Sequence, residues 1–395
     1  MVDAADRRFM KMALALAEKG AGLASPNPSV GCIVVRDGKV VGRGMHEYSA
    51  LDHAEVRALR QASGLSRNAT AYVTLEPCSH QGRTPPCVEL LIQTGVRRVV
   101  VARIDPNPRV AGRGIERLRS CGIRVDVGLM EDEAGKIIEP FSCHITTGLP
   151  LVVSKVGMSL DGKIGTGQPG GRWITSPESR EFGQELRLGS DALLVGINTV
   201  LADDPELTYR GRSPKARSMI RVILDSRLRT PSSARLFQTE PHTPVLIFCG
   251  RRASEARQRE LERSGAEVVR VEHSERGLDL SAVLKELGAR NILGLLVEGG
   301  GRIHWSFLSG NLIDKFYFIV APMMLGAGAI PAVEGPGYGT IQDSPKFKVR
   351  SVFSTGPDVI LETYPSWSRS IISPWLAPET FPSGERCSLP ALKRR

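Results

Sequence analysis

Short apolar runs rich in Val and Ile alternate with stretches of helical period along most of this chain, and an alternation of that kind admits few folds. Val30 to Val35 and Lys39 to Arg43 read as two strands of a hairpin turned at Arg36-Asp37-Gly38. Further strands are expected at Ala71 to Leu75, Val96 to Ala102 and Ile123 to Val127, with helical patterns at Ala54 to Gln61, Cys87 to Gln93 and Gly114 to Cys121 between them. Ahead of them a helix capped by Asp3 and stopped at Gly20 carries Phe9, Ala13, Leu14 and Ala17 on one face. The pattern predicts an α/β fold, a sheet covered by helices on both faces.

The alternation then begins again. Strands are expected at Leu151 to Lys155, Ala192 to Val195, Arg221 to Leu224, Val245 to Phe248, Ile292 to Val297 and Lys315 to Val320. Between the two blocks, Glu139 to Pro150 contains two prolines and a Thr-Gly pair, which places a boundary near Leu149. A chain of 395 residues suits two domains, here 1–148 and 149–365. From about Ser366 onward Pro, Ser and isolated tryptophans lack any periodicity, so 366–395 is expected to be a flexible tail. The seven cysteines form no disulfide framework, no run of about 18 apolar residues could span a membrane, and residues 1–11 lack a signal-peptide core. A cytoplasmic protein is expected, with no membrane partner.

The first block carries a metal-ligand pattern. His53-Ala54-Glu55 is followed, one strand later, by Pro77-Cys78 and then Cys87. One imidazole and two thiolates would hold a tetrahedral zinc with its fourth position open, where a water would reach a pKa of about 7. Glu55, two residues from His53 at a helix start, is placed to carry protons. A structural zinc site would use a fourth protein ligand and has no need of Glu55; two unrelated buried cysteines are the remaining reading.

Thr74-Leu75-Glu76-Pro77-Cys78-Ser79-His80 with Gly82-Arg83-Thr84-Pro85-Pro86-Cys87 resembles the deaminase half of the bifunctional deaminase/reductases of riboflavin biosynthesis. Ser25-Pro26-Asn27-Pro28 with Val30-Gly31, and Asp105-Pro106-Asn107-Pro108 with Val110-Ala111-Gly112-Arg113-Gly114, are similar to the same family. The resemblance implies a three-layer, cytidine-deaminase-like fold for the first domain. It also implies a pocket in which Asn27, His46, His80, Arg83, Asp105 and Asn107 bind a diaminopyrimidinone carrying a ribose phosphate. Asn and Asp can read the ring's donors and acceptors, and Arg or His can meet phosphate. Taken singly, Asn27 and Asn107 beside prolines are also ordinary turn residues. The family has glycine three residues before its zinc His, where this chain has Ala50.

In the second block, Lys155-Val156-Gly157-Met158-Ser159-Leu160-Asp161-Gly162-Lys163, Trp173-Ile174-Thr175-Ser176, and Val195-Gly196-Ile197-Asn198-Thr199 with Leu201-Ala202-Asp203-Asp204-Pro205 resemble the reductase half of that family, to about Tyr364. The resemblance implies a dihydrofolate-reductase-like α/β domain using NADPH. It puts the cofactor at Gly157, Trp173, Thr199, Asp203, Ser226 and the segment Gly300, Gly301, Arg302, Ile303, His304, Trp305, Ser306. Substrate would meet Lys155, Gly171, Arg187, Leu207, Arg210 and Glu298. The family often has a hydroxyl residue at position 171. Read from the residues alone, the strand running into Glu298-Gly299-Gly300-Gly301 before a helix is either a phosphate cradle or a plain tight turn. Arg187 and Arg210 are on the same footing either phosphate ligands or ordinary surface and loop ion pairs.

The resulting expectation is an enzyme with zinc and NADPH that deaminates a pyrimidine ring and then reduces its ribosyl group to ribityl. Because the sites lie in separate domains, loss of one is not expected to abolish the other. The net charge of +10 leaves room for a second class, a nucleic-acid-editing deaminase or binding module. Aromatics make up only 5% of the chain and do not cluster with the basic residues, and that class leaves the second domain unexplained. No nucleic-acid partner is expected, and the family suggests a homo-oligomer.

Overall fold

The computed structural model describes residues 3–81, 85–167, 173–239, 243–274 and 277–372. The first half consists of α1 (Ala4–Lys19), β1 (Gly31–Arg36), β2 (Lys39–Met45), α2 (Ala54–Ala62), β3 (Thr70–Leu75), α3 (Cys87–Gln93), β4 (Arg98–Arg103), α4 (Arg113–Ser120), β5 (Arg124–Val127), α5 (Glu131–Ile137) and α6 (Glu139–Thr147). Its five strands form one sheet in the order β2-β1-β3-β4-β5, antiparallel around β1 and parallel from β3 to β5. Alternate residues explain the three layers. Cys32, Val34, Val73 and Val101 face α2, α3 and α4, while Ile33, Val35, Tyr72 and Val100 face α1 and α5.

Two glycines set the position of α2. A Cβ on Gly42 would lie 2.0 Å from the Ala58 carbonyl oxygen, and one on Gly44 would lie 2.0 Å from that of Ala54. Only glycine lets β2 approach α2 this closely, and the approach fixes where the helix begins. At the other edge of the fold, Asp3 caps α1 through a reciprocal capping box with Asp6. The buried Asp6 carboxylate also takes both guanidinium N–H groups of Arg98 and the Tyr72 hydroxyl, tying α1 to β3 and β4.

The second half comprises β6 (Leu151–Ser159), β7 (Lys163–Gly165), α7 (Pro177–Leu188), β8 (Ala192–Gly196), α8 (Ile197–Asp203), β9 (Ile220–Leu224), α9 (Arg235–Gln238), β10 (Val245–Gly250), α10 (Glu255–Arg263) and β11 (Ala266–Val271). After these come β12 (His273–Ser274), β13 (Gly277–Leu278), α11 (Leu280–Ala289), β14 (Gly294–Gly299), α12 (Gly301–Ser309), β15 (Lys315–Ala321), β16 (Ile330–Pro331), β17 (Phe347–Thr355) and β18 (Asp358–Pro365). Nine strands make one sheet, β11-β10-β9-β8-β14-β6-β15-β18-β17, parallel from β11 to β15 and closed by an antiparallel pair. From β8 the chain winds outward through β9 to β11, whereas β6 and β15 lie on the other side of β14. The crevice at the carboxyl ends of β8, β14 and β6 is therefore the switch point where such sheets bind ligands.

All but the last three residues of Glu139 to Pro150 form α6, with Pro140 in the first turn, where a missing N–H costs nothing. One expectation is corrected: the expected tail does not begin at Ser366. The Trp367 indole N–H donates to the Ile313 carbonyl, Arg369 pairs with Asp314, and Ser370 and Ile372 are buried. Aperiodic sequence can still pack when it meets a surface already formed by other elements; residues 373–395 lie outside the described residues.

Candidate active sites

His53 is the N-cap residue of α2 and Glu55 lies in that helix's first turn, while Cys87 opens α3. The His53 Nδ1, Cys78 Sγ and Cys87 Sγ atoms all lie within 4.8 Å of one another, His53 Nδ1 being 3.2 Å from Cys87 Sγ and 3.6 Å from Cys78 Sγ. The Cys87 backbone N–H donates to Cys78 Sγ at 3.3 Å. One imidazole and two sulfurs converging from three segments fit a zinc ion with an open position, since no fourth protein ligand belongs to the cluster among the described residues. A hydrogen bond from the Cys87 thiol holds Cys78 at about 4, ready as a thiolate, and pushes Cys87 up in exchange. Burial, reinforced by the negative charge at Cys78, raises Glu55 to about 7.

These residues open on a cavity of about 270 Å³. Asn27, His46, His80, Asp105 and Asn107, separated by as many as 80 positions in sequence, all line it with His53, Glu55 and Cys78. The His46 Nδ1 sits 3.1 Å from the Asp52 carbonyl, which can only accept, so that nitrogen carries the proton. His46 Nε2 must then accept from Asn27 Nδ2 at 3.0 Å, which fixes the orientation of the Asn27 amide and leaves its oxygen for a ligand. Burial lowers His46 and keeps it neutral. Asp105 is pushed up to about 6 by burial, against the Asn107 backbone N–H that favours its charged form. At the glycine departure, the 3-10 turn Tyr48–Ala50 absorbs Ala50, and the reversal passes to Leu51 at φ 61°. Arg83 lies outside the described residues.

Two features of this site are absent from the residue-level reading. The Glu76 carboxylate, 4% exposed, accepts from the backbone N–H groups of Asp105, Gly112, Gly114 and Ile115. It thereby folds the Asp105 to Ile115 loop against the site. The same closeness demands glycine at 114, where a Cβ would lie 2.2 Å from the Pro77 carbonyl oxygen. The second feature is α6, whose Phe141 and Ile145 form part of the cavity wall. The Glu-Pro at the start of α6 was the one available signal for that helix.

The crevice of the second sheet holds two adjoining cavities, of about 540 Å³ and about 1130 Å³. Lys155, Gly157, Trp173, Arg187, Arg210, Glu298 and His304 line the smaller. Ser226, Gly301, Arg302, Ile303 and Ser306 line the larger, and Thr199, Asp203 and Gly300 line both. Gly300 has φ 70° and a Cβ on Gly301 would lie 2.5 Å from the Pro331 carbonyl oxygen, so the turn into α12 is open backbone facing the larger cavity. That geometry suits a cofactor phosphate. Trp305 is turned away, packed on Gly335 and on Tyr338 at 5.2 Å between centroids, and the Leu207 side chain is buried in the core; neither lines these cavities. Gly171 lies outside the described residues.

Arg187 is no surface residue. Its guanidinium meets Glu298 with two hydrogen bonds of 2.9 and 2.7 Å and donates a third to the Thr208 carbonyl at 2.6 Å. Burial pushes the Glu298 carboxyl up, but Arg187, Lys155 and Arg210 outweigh it and hold it at about 2. Arg210 pairs with Glu206 at 2.9 Å and also borders the cavity. His304, lowered to about 4 by burial and by Lys155, is a neutral imidazole whose Nδ1 lies 2.8 Å from Ser154 Oγ.

Comparison with known proteins agrees with this division. Residues 150–361 match the family model described as the RibD C-terminal domain, and residues 3–103 match the cytidine and deoxycytidylate deaminase zinc-binding region. The riboflavin biosynthesis protein RibD of Aquifex aeolicus is 41% identical, over 91% of this chain and 99% of its own, and that of Escherichia coli is 40% identical, over 90% and 98%. Among solved structures, Acinetobacter baumannii RibD superposes with a TM-score of 0.81 at 37% identity, covering 91% of this chain and 99% of that one. A Thermotoga maritima diaminohydroxyphosphoribosylaminopyrimidine deaminase/5-amino-6-(5-phosphoribosylamino)uracil reductase gives 0.78 at 35% identity, covering 91% and 98%.

Proposed function

Given that the chain belongs to the RibD family of bifunctional deaminase/reductases in riboflavin biosynthesis, we propose that its two sites act in turn on one phosphorylated diaminopyrimidinone. The first replaces a ring amino group by oxygen with release of ammonia. The second reduces the ribosyl group to ribityl. The enzyme is a zinc-dependent deaminase joined to an NADPH-dependent reductase, divided in this reading at Gly148.

In the deaminase, His53, Cys78 and Cys87 would hold zinc, which when bound would supply the Lewis acidity that makes water acidic near neutrality. Glu55, poised near 7, takes a proton and delivers it to the departing amine. The Asn27 amide, fixed by His46, and Asp105, fixed by its own loop, hold the ring. His80 at the rim and Arg83 are assigned to the phosphate side. In the reductase, the crevice residues would hold NADPH, which when bound would supply a hydride for the former anomeric carbon. Thr199, Asp203, Ser226 and the glycine turn at Gly300 orient the cofactor. Lys155, Arg187, Arg210 and Glu298 orient the substrate, and His304 faces their cavity. The Leu207 and Trp305 side chains are left as packing.

The observation that carries this reading is the His53, Cys78 and Cys87 trio with a buried Glu55 on a cavity the size of one nucleotide base and its sugar. A reducing, cytoplasmic setting accords with the free thiols of the described cysteines, and no described helix is long and apolar enough to cross a membrane. Pairing of copies accords with exposed Val349, Val352 and Phe353 on the edge strand β17. A nucleic-acid substrate is not favoured, because the second half is a RibD reductase domain. The test is ammonia release from the diaminopyrimidinone ribosyl phosphate by purified protein, followed by NADPH oxidation that starts only after release. A zinc-loaded protein that releases no ammonia overturns the substrate assignment.

A further inference from the structure

The wall of the deaminase cavity is anchored from the reductase half. Helix α6 begins at Glu139, whose carboxylate is 3% exposed and carries three partners, all from beyond residue 300. Lys315 Nζ on β15 reaches Oε2 at 2.5 Å, while the Tyr364 hydroxyl donates to Oε1 at 3.1 Å and the Ser370 hydroxyl donates to the same oxygen. Lys315 is shared with Glu362 at 3.1 Å, and Glu362 in turn accepts from Ser351 at 2.7 Å. A buried charge is stable only with its partners in place, so the first turn of α6 cannot shift without exposing an uncompensated ion.

The far end of α6 is pinned as well. The Gly148 carbonyl oxygen presses on α11, where a Cβ on Gly288 would lie 2.0 Å from it. Residues Trp367 to Ile372 run alongside: Arg369 pairs with Asp314, and Ile372 packs against Gly135 of the neighbouring α5. Between these fixed ends stand Phe141 and Ile145, four residues apart on one helical face, lining the cavity that also contains His53 and Glu55.

We propose that Glu139, held by Lys315, Tyr364 and Ser370, positions Phe141 and Ile145 against the pyrimidine, so that the reductase half and the segment after β18 set substrate affinity at the deaminase. Phe141 and Ile145 carry no group that can take or give a proton, so they act on binding rather than on the chemical step. This inference rests on the deaminase reading above.

The experiment compares full-length Ser370→Ala, Glu139→Gln, Phe141→Ala and the double variant Phe141→Ala/Ser370→Ala with wild type. It measures kcat and KM for ammonia release, zinc per chain, and NADPH oxidation with substrate deaminated beforehand. Ser370→Ala and Glu139→Gln are expected to raise the deaminase KM roughly three- to tenfold, the effect of losing one buried hydrogen bond. In these two anchor variants zinc content, deaminase kcat and reductase kinetics should stay within about twofold of wild type. The double variant should be no worse than the worse single one, because residues acting through one another are not additive. An unchanged KM in both anchor variants, or additive effects in the double, overturns the proposal. Wild-type protein that releases no ammonia indicts the functional reading instead; faster hydrogen exchange at the α6 amides in Ser370→Ala would then support the anchoring, and unchanged exchange would overturn it.

Discussion

The two sites are built in opposite ways. At the deaminase, three ligand atoms within 4.8 Å and one buried carboxylate come from a stretch of 35 residues, His53 to Cys87, on two helix starts and one loop. At the reductase, the residues facing the two cavities run from Lys155 to Glu334 along the carboxyl ends of a parallel sheet. A metal ion demands specific atoms at short range, so its site is compact and chemically distinctive. A dinucleotide is held largely by backbone and shape over many ångströms, so its site is diffuse and chemically plain. The deaminase should therefore fail at single atoms, and the reductase should degrade in smaller steps.

The largest expected effect tests the compact site. Glu55→Gln should cut ammonia release by roughly 10²- to 10⁴-fold with zinc retained, while NADPH oxidation of already deaminated substrate stays at wild-type rate. Removal of zinc by a chelator should give the same split between the two activities. Loss of both together would erase the distinction between the sites.

At the diffuse site, Arg187→Lys removes the planar fork that meets Glu298 twice and Thr208 once. Kinetics with deaminated substrate should show kcat/KM lower by roughly ten- to a hundredfold, the worth of a charged hydrogen bond, with ammonia release untouched. Gly300→Ala is expected to do less. A Cβ at φ 70° and ψ 153°, a region nearly reserved for glycine, costs on the order of 1–3 kcal/mol, which the turn relieves by shifting off the cofactor-binding geometry, so the Kd for NADPH measured by fluorescence titration should rise about tenfold. An unchanged Kd would mean that the turn does not hold the cofactor.

The smallest effect is a pH dependence of the deaminase alone. Asp105, raised by burial to about 6, is ionised above that value and protonated below it. Its ring-binding acceptor is therefore lost as pH falls, and between about pH 7.5 and about pH 5.5 Asp105 should contribute a roughly fourfold decline in kcat/KM for ammonia release, beneath the steeper limb set by protonation of Glu55 near 7. Asp105→Asn should lower the plateau and remove that roughly fourfold share, leaving the Glu55 limb in place. A decline between about pH 7.5 and about pH 5.5 as large in Asp105→Asn as in wild type would show that Asp105 contributes none of it.

The zinc ligands and Glu55 were legible because their chemistry is carried by residue type and spacing along a strand and two helix starts. Asn27, His46, Asp105 and Asn107 were named only through resemblance, since an Asn beside a proline is an ordinary turn residue until the fold brings it to the wall of a cavity. In the reductase, glycines before α12 could be named, but which residues of that helix face a cavity could not: Ile303 and Ser306 do, while Trp305 packs on Gly335 and Tyr338. Helix phase relative to a crevice is set by packing, not by the helix itself.

By itself, then, the sequence determined the two α/β halves, the positions of most strands along the chain and the candidate metal donors, all of which rest on local periodicity and on residue chemistry. Only the tertiary structure decided what lies between the halves. Glu139 stood where the first unit was expected to close, Lys315 at the start of an expected strand, and Ser370 in the expected tail. Lys315 and Ser370 both reach Glu139, across 176 and 231 positions of chain, and no local pattern encodes a contact made only when separate surfaces close on one another.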